Sequence, residues 1–533
     1  MRDPSDALET RTMKHLFLAI IGACLVFSCS GKVGNDDGKK GAEEPVLPAI
    51  TVSRLSQQNG KVFLEVDGEP FAVYGVQIRL DLFISADHIS WDEIEIAFQK
   101  AAELGVNCVQ VTYPWAFLQP ASEHRFSFKE IDKAMELVNK YGLKMELLWF
   151  STNMIGDSYS WLVPAYILRK AELRLQRDGD GWDHYLYGQT YSLIFNDPWL
   201  MEKERIALTR LFSHIRWWDA QNGEKHPVIA CQIHNETDGL VRWRKDEKHI
   251  GWKNGSQLSN AEAWKMTLDA LDNAGQAVQN SNYKVATRTN LIFGNGAHDF
   301  PQTPGISPKD VFALQGIDFV SYDPYKDKIN ELIYEIADYA SLPGNYPFVA
   351  ENRGSYLNSS SLILAASALG AGYDLYDLVP CKTLYENSQP PFDSEGVFDY
   401  NYVEKAHTSN LRILLKGLSQ VSKDIALTTT DDFAVFNVVQ DSPAQSISQN
   451  IATTGAYLRF ESECGTPGFV LDRGDCLIAF SIYDACLTVT GGSVEGYANG
   501  VIPLTGGRVY RLPFHSNGKH TSTTKKFIGT LFN

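Results

Sequence analysis

Zinc chemistry is the first thing this chain lacks. Two of its eight cysteines, Cys24 and Cys29, lie near the N-terminus, and no Cys/His set in the 533 residues has zinc-ligand spacing. Basic charge is also in short supply. With 48 Lys and Arg against 64 Asp and Glu, the net charge is −16, the wrong sign for displacing counterions from phosphate, so a nucleic-acid partner is excluded. There is no Walker loop, no Gly-x-Ser-x-Gly elbow and no His-Glu-x-x-His, which removes the familiar nucleotide-binding, serine-hydrolase and zinc-protease readings. Asp178-Gly179-Asp180-Gly181 lacks the remaining spacing of a calcium loop and reads as a turn. No metal or cofactor is expected. What is present is a globular composition, 44% hydrophobic and 21% charged, with eleven tryptophans of the kind that stack on sugar rings.

The only long apolar run near a terminus, Leu16 to Phe27, follows Lys14 and is too short to span a bilayer stably. Its order, basic then apolar then Ser28 and Cys29, is that of a secretory signal starting at Met13. Leu25-Val26-Phe27-Ser28-Cys29 resembles the lipobox of bacterial lipoproteins, which implies lipidation at Cys29 and an outer-membrane anchor facing the periplasm or the cell surface. A plain cleaved signal is the alternative. Residues 1–28 are thus expected as leader and 29–50 as a flexible tether.

From about residue 71, short apolar runs alternate with amphipathic segments, the signature of repeated βα units around a parallel sheet. Strands are expected at Ala72 to Ile78, Val106 to Val111, Lys144 to Phe150, Val228 to Ile233, Lys284 to Thr289, Ile317 to Tyr322, Pro347 to Ala350 and Gly372 to Tyr376. Helices fill the intervals. Trp91 to Leu104 and Phe128 to Tyr141 each stop at a glycine, and Asp197-Pro198 opens a long helix with an N-cap and a first-turn proline. Residues 51–422 therefore read as a (β/α)8 TIM barrel. Beyond Lys423, short strands punctuated by Gly, Asp and Ser predict an all-β sandwich over 423–533, with packing against the barrel favoured over sugar binding as its role.

In such a barrel the chemistry sits where the strands end. The fourth run ends in His234-Asn235-Glu236 and the seventh in Glu351-Asn352-Arg353. A carboxylate at a strand mouth is costly to desolvate without a purpose. Two of them facing one pocket suit retaining glycoside hydrolysis, which needs one acid to protonate the leaving oxygen and one carboxylate, about 5 to 5.5 Å away, to attack the anomeric carbon. Glu236 is expected as acid/base and Glu351 as nucleophile. Tyr325 is placed to donate to Glu351, Arg79 and Arg353 to supply positive charge, Asn235 to bind a ring hydroxyl, and Trp115, Trp149 and Trp161 either to line the sugar subsite or to fill the core.

These strand ends resemble the clan of retaining (β/α)8 glycosidases, and most closely the β-galactosidases of glycoside hydrolase families 35 and 42. The residues that carry the resemblance are Gly75-Val76-Gln77-Ile78-Arg79, Thr112-Tyr113-Pro114-Trp115 with Leu118-Gln119-Pro120, Trp161-Leu162-Val163-Pro164, Pro227 through Glu236, and Leu369 through Asp374. The resemblance covers about residues 60 to 420. His234 stands where family 35 has Glu, Gln119 replaces the Glu of its His-Glu-Pro, and its Arg-Pro-Gly-Pro-Tyr is absent from Leu147-Leu148-Trp149-Phe150-Ser151. The resemblance thus implies the catalytic pair and an oligosaccharide or polysaccharide substrate, with galactose as the first expectation. β-Mannosidase, β-glucosidase or endo-glycanase action remains open within the clan, and a catalytically silent glycan-binding lipoprotein outside it.

Overall fold

Eight of the expected apolar runs pair in parallel. In the computed structural model, which describes residues 44–175, 182–184, 188–242, 252–253, 256–292, 307–383, 396–438 and 447–518, they form β1 (Tyr74–Ile78), β2 (Cys108–Pro114), β3 (Lys144–Met154), β4 (Val228–Asn235), β5 (Ala286–Leu291), β6 (Phe319–Tyr322), β7 (Phe348–Arg353) and β8 (Gly372–Tyr376). The sheet closes into a barrel, because β8 pairs with β1 as each strand pairs with the next. Both faces are covered, which is why the strands carry so little polar surface.

A helix follows every strand, and its sequence signals are used as read. Ser90 caps Trp91–Leu104 in a capping box with Glu93, and Gly105 closes that helix at φ 93°. Lys129–Tyr141 ends at Gly142, also left-handed. Asp197 accepts from the backbone N–H groups of Trp199 and Leu200 to start Pro198–Gln221. The expected leader, Cys29 and the anchor they imply lie outside the described residues, as does Asp178 to Gly181. The chain is bound to the barrel from Glu44 on, ahead of the expected end of the tether. Glu44 contacts the ring of His214 at 2.7 Å, and Ile50–Thr51 pairs with Tyr283–Lys284.

An antiparallel sheet of Ser53–Gln58, Lys61–Val66 and Glu69–Phe71 precedes the barrel and was not expected. It seats at the start of β4 and β5, where the Ser53 hydroxyl donates to the Ile229 carbonyl and accepts from the Ala286 N–H.

Past the helix Thr408–Gln420 the chain forms two antiparallel sheets. One is built from Phe433–Phe436, Gly468–Asp472, Cys476–Ser481, Tyr510–Ser516 and Gly492–Val494, the other from Ile447–Ala452, Tyr457–Ser462, Ala485–Thr490 and Val501–Leu504. Between them lies a core of its own, with Phe436 stacked on Phe460 at 4.7 Å. The first sheet alternates with period two. Phe436, Val470 and Leu477 enter the sandwich core, while Val435, Phe469, Leu471, Ile478 and Phe480 enter the barrel's core. Gly417 makes room for this junction, since a Cβ there would sit 2.4 Å from the Phe480 ring.

Candidate active site

The barrel interior carries a polar layer where branched apolar side chains are the norm. Gln77, Gln110, Glu146, Gln232, Arg288 and Asp374, one from each of six strands, are all buried. Arg288 donates through Nε and Nη2 to Glu146, the latter bond 2.7 Å long, and through Nη1 to Ser321 at 2.7 Å; Asp374 Oδ2 is 3.7 Å from Nη2. Burial, then the Glu146 charge, holds Asp374 well above the usual carboxylate range, so Asp374 keeps its proton beside the Arg288 guanidinium. Gly75 leaves space for Asp374, whose Oδ1 would lie 1.7 Å from a Cβ on residue 75.

From that layer a relay of amides rises to the C-terminal mouth. Gln110 Nε2 donates to Glu146 at 3.3 Å and to Gln232 at 3.1 Å. Gln77 Nε2 donates to Gln110 at 2.6 Å and to Glu351 Oε1 at 3.0 Å. Gln232 Nε2 donates to Asn290 Oδ1 at 2.7 Å, and the same oxygen accepts the backbone N–H of Glu236 at 2.8 Å. The two expected catalytic residues are therefore tied to opposite ends of one hydrogen-bond chain, Glu351 by its side chain and Glu236 by its backbone.

Their surroundings differ as the two roles require. Glu351, buried on β7, accepts from the Tyr325 hydroxyl as well as from Gln77. Burial raises its pKa, and Tyr325, Gln77, Arg79 and Arg288 all pull it back. Among the described residues the only donor to the Glu236 carboxyl is Asn235 Nδ2, at 3.3 Å. Burial, then the Glu351 and Asp238 charges, holds Glu236 well above the usual range, with Arg79 alone opposing. Glu351 is the carboxyl that ionises first, and Glu236 the one that keeps its proton. His234, Glu236 and Tyr325 all have positive φ, 59°, 46° and 46°. Such backbone strain, about 1 to 3 kcal/mol per residue, clusters where a site must be held against local preference.

The remaining expected residues divide. Asn235 is in the site, its Oδ1 accepting from Asn290 Nδ2 at 3.0 Å and from Gln232 Nε2 at 3.1 Å. Arg79 lies at the mouth, bound through two 2.9 Å hydrogen bonds to Asp81, which in turn accepts from Thr112 Oγ1 at 2.6 Å and Trp161 Nε1 at 3.5 Å. Trp161 is half-buried beside Tyr159. Arg353 sits over the Tyr325 ring, 5.8 Å from its centre. Trp115 and Trp149 are corrections to the subsite reading. Both are 0% exposed, tilted against each other, with Nε1 donating to Gln119 and Glu204 respectively. Their rings pack against each other and their indole N–H groups are already bonded inside the barrel, so these two are core. Asn290 and Asp323 were not expected. Both are polar residues at strand ends, the signal that found Glu236 and Glu351.

Glu236→Gln is expected to stabilise the protein. A folded-state pKa raised above the unfolded value of about 4.3 means that the unfolded chain releases this proton first, so stability falls as pH climbs from about 5 into the raised range. The amide carries no charge to bury. Thermal unfolding is expected to show Tm higher by about 1 to 3 °C at pH 8, with less gain at pH 5; an equal gain at both would rule out this cause.

Several known proteins are similar to this chain. A family model described as a domain of unknown function (DUF4978) matches residues 266–443, which hold β5 through β8 and Glu351 but not Glu236. A β-galactosidase of Haloferax lucentense is 26% identical over 168 residues, 30% of this chain and 24% of that protein. Among solved structures, a β-galactosidase from the haloarchaeon Halorubrum lacusprofundi has a TM-score of 0.46 at 14% identity, covering 65% of this chain and 58% of the other. An exo-β-1,4-mannosidase from Opitutaceae bacterium strain TAV5 has 0.46 at 13%, covering 70% and 63%. The chain thus spans about a quarter of the curated relative and about three-fifths of these two structures.

Proposed function

We propose that this chain is a retaining β-glycosidase that removes terminal β-linked sugars, with Glu236 as acid/base and Glu351 as nucleophile. The observation that carries this reading is the unequal environment of two buried carboxyls at the same barrel mouth. Glu351 is served by two hydrogen-bond donors, whereas Glu236 has one long contact and faces like charges. In the first step Glu236 gives its proton to the glycosidic oxygen as Glu351 Oε attacks the anomeric carbon; the leaving alcohol departs and a glycosyl–Glu351 ester forms. In the second step Glu236, now a carboxylate, takes a proton from water. That oxygen attacks the same carbon, the ester bond breaks, and both carboxyls return to their starting states.

Galactose is the first sugar to test, in keeping with the β-galactosidase of Haloferax lucentense that part of the chain is similar to. We place the enzyme on a bacterial envelope, tethered through lipid at Cys29. The test is a panel of aryl β-galactosides, β-mannosides and β-glucosides, followed by proton NMR of the anomeric signal during turnover. One glycoside is expected to be cleaved, with the β-anomer released first. Release of the α-anomer, or no cleavage across the panel, would sink the assignment.

A further inference from the structure

A further buried carboxyl, Asp323, stands beside the catalytic pair. Asp323 directly follows β6 and is 2% exposed. Its Oδ2 accepts from Asn290 Nδ2 at 2.7 Å, while its Oδ1, equally buried, has no hydrogen-bond partner among the described residues. It lies close enough to the catalytic pair for the charges of both Glu351 and Glu236 to act on it, yet it bonds to neither. A buried polar atom left unmet is costly, and such atoms in folded proteins usually have a purpose. Asn290 adds to the case, because the amide that fixes Asp323 also holds Asn235 and, through its oxygen, the Glu236 backbone. The third carboxyl is therefore held in register with the acid/base.

We propose that Asp323 is a specificity residue in contact with substrate: with Oδ2 fixed by Asn290, Oδ1 hydrogen-bonds one hydroxyl of the pyranose ring held between Glu236 and Glu351. The proposal rests on the glycosidase reading above. Burial first, then the Glu351 and Glu236 charges, keeps a proton on Asp323 well above the usual carboxylate range. A neutral carboxyl divides its roles: Oδ2 accepts from Asn290, and the Oδ1 hydroxyl donates to the sugar oxygen. An asparagine reproduces that division, its oxygen toward Asn290 and its NH2 toward the sugar, whereas an alanine does not.

The test uses the full chain with the aryl glycoside it cleaves best and the versions of that glycoside in which each ring hydroxyl is removed in turn. Wild type is expected to lose on the order of 100-fold or more in kcat/KM on one deoxy sugar, as sites built to bond a hydroxyl do. Asp323→Ala is expected to lose a similar factor on the parent sugar and nothing further on that deoxy sugar. Asp323→Asn is expected to stay within about tenfold of wild type and to keep the discrimination. If Asp323→Ala does not fold, Asp323→Leu, which fills the volume without a polar atom, replaces it. One common loss for Asp323→Ala across the parent and every deoxy sugar, or no loss at all, overturns the contact and leaves the glycosidase standing. If wild type cleaves no glycoside, both fall together.

Discussion

Glu351→Ala is expected to hydrolyse its aryl glycoside on the order of 10⁴-fold more slowly than wild type, or worse, and sodium azide is expected to restore much of that rate. A large loss is expected because, on the proposed mechanism, the residue forms a bond to the substrate; without it, only the acid and the binding energy would remain. Azide enters the space the side chain leaves, attacks the anomeric carbon from the same side, and gives a glycosyl azide of inverted configuration. Glu236→Ala should behave as the mirror case. There the ester still forms with a good leaving group, azide attacks from the opposite side in place of the base-activated water, and the product azide has retained configuration. The two product spectra assign the two roles separately. Rescue with the same configuration in both variants would contradict the assignment.

Arg288→Met is expected to cost about 3 to 5 kcal/mol of stability, the price of leaving a buried ion pair with one partner. Arg288 is fully buried, sits over the Phe348 ring at 4.6 Å, and is the cation shared by Glu146 and Asp374. Removing it strands those carboxyls in the barrel interior, where both are buried and no other described cation pairs with them. The double variant Arg288→Met with Glu146→Met should recover most of the loss, since an apolar pair of similar volume has no charge to desolvate. Arg288→Lys should fall between, keeping the charge but losing the planar fork that binds Glu146 through two nitrogens. Urea unfolding of the three variants checks this. A single variant as stable as wild type would mean that Glu146 and Asp374 need no cation.

The strands were legible because burial on both faces writes near-continuous apolar runs, and Glu236, Glu351 and Tyr325 because each closes one. The polar layer beneath them is visible in the sequence as residues but not as a layer. Gln77, Gln110, Glu146, Gln232, Arg288 and Asp374 each interrupt an apolar strand, but a single polar residue in a run does not say whether it points into the barrel or toward a helix; only closure puts the six in one place. Asn290 was lost to a boundary, with β5 read as ending at Thr289 and continuing instead to Leu291. Asp323 falls just past the expected strand end at Tyr322, in a stretch that the sequence marks only through Tyr325. Trp115 and Trp149 show the opposite limit, since an aromatic side chain suits a core and a sugar subsite equally until its exposed face is known. The N-terminal sheet escaped because its apolar run, Val62 to Leu64, is too short to stand out.

The five-stranded sheet of the C-terminal domain, three of whose strands are buried on both faces, bears on how this architecture can be taken apart. A detachable carbohydrate-binding cassette keeps its apolar residues to itself and meets its enzyme through a polar linker, so that evolution or a cloning scheme can move it between hosts. Here Val435, Phe469, Leu471, Ile478 and Phe480 are shared property, as much part of the barrel as of the sandwich. Cutting the gene after residue 422 would leave both halves with an exposed apolar wall, and neither half is a portable part.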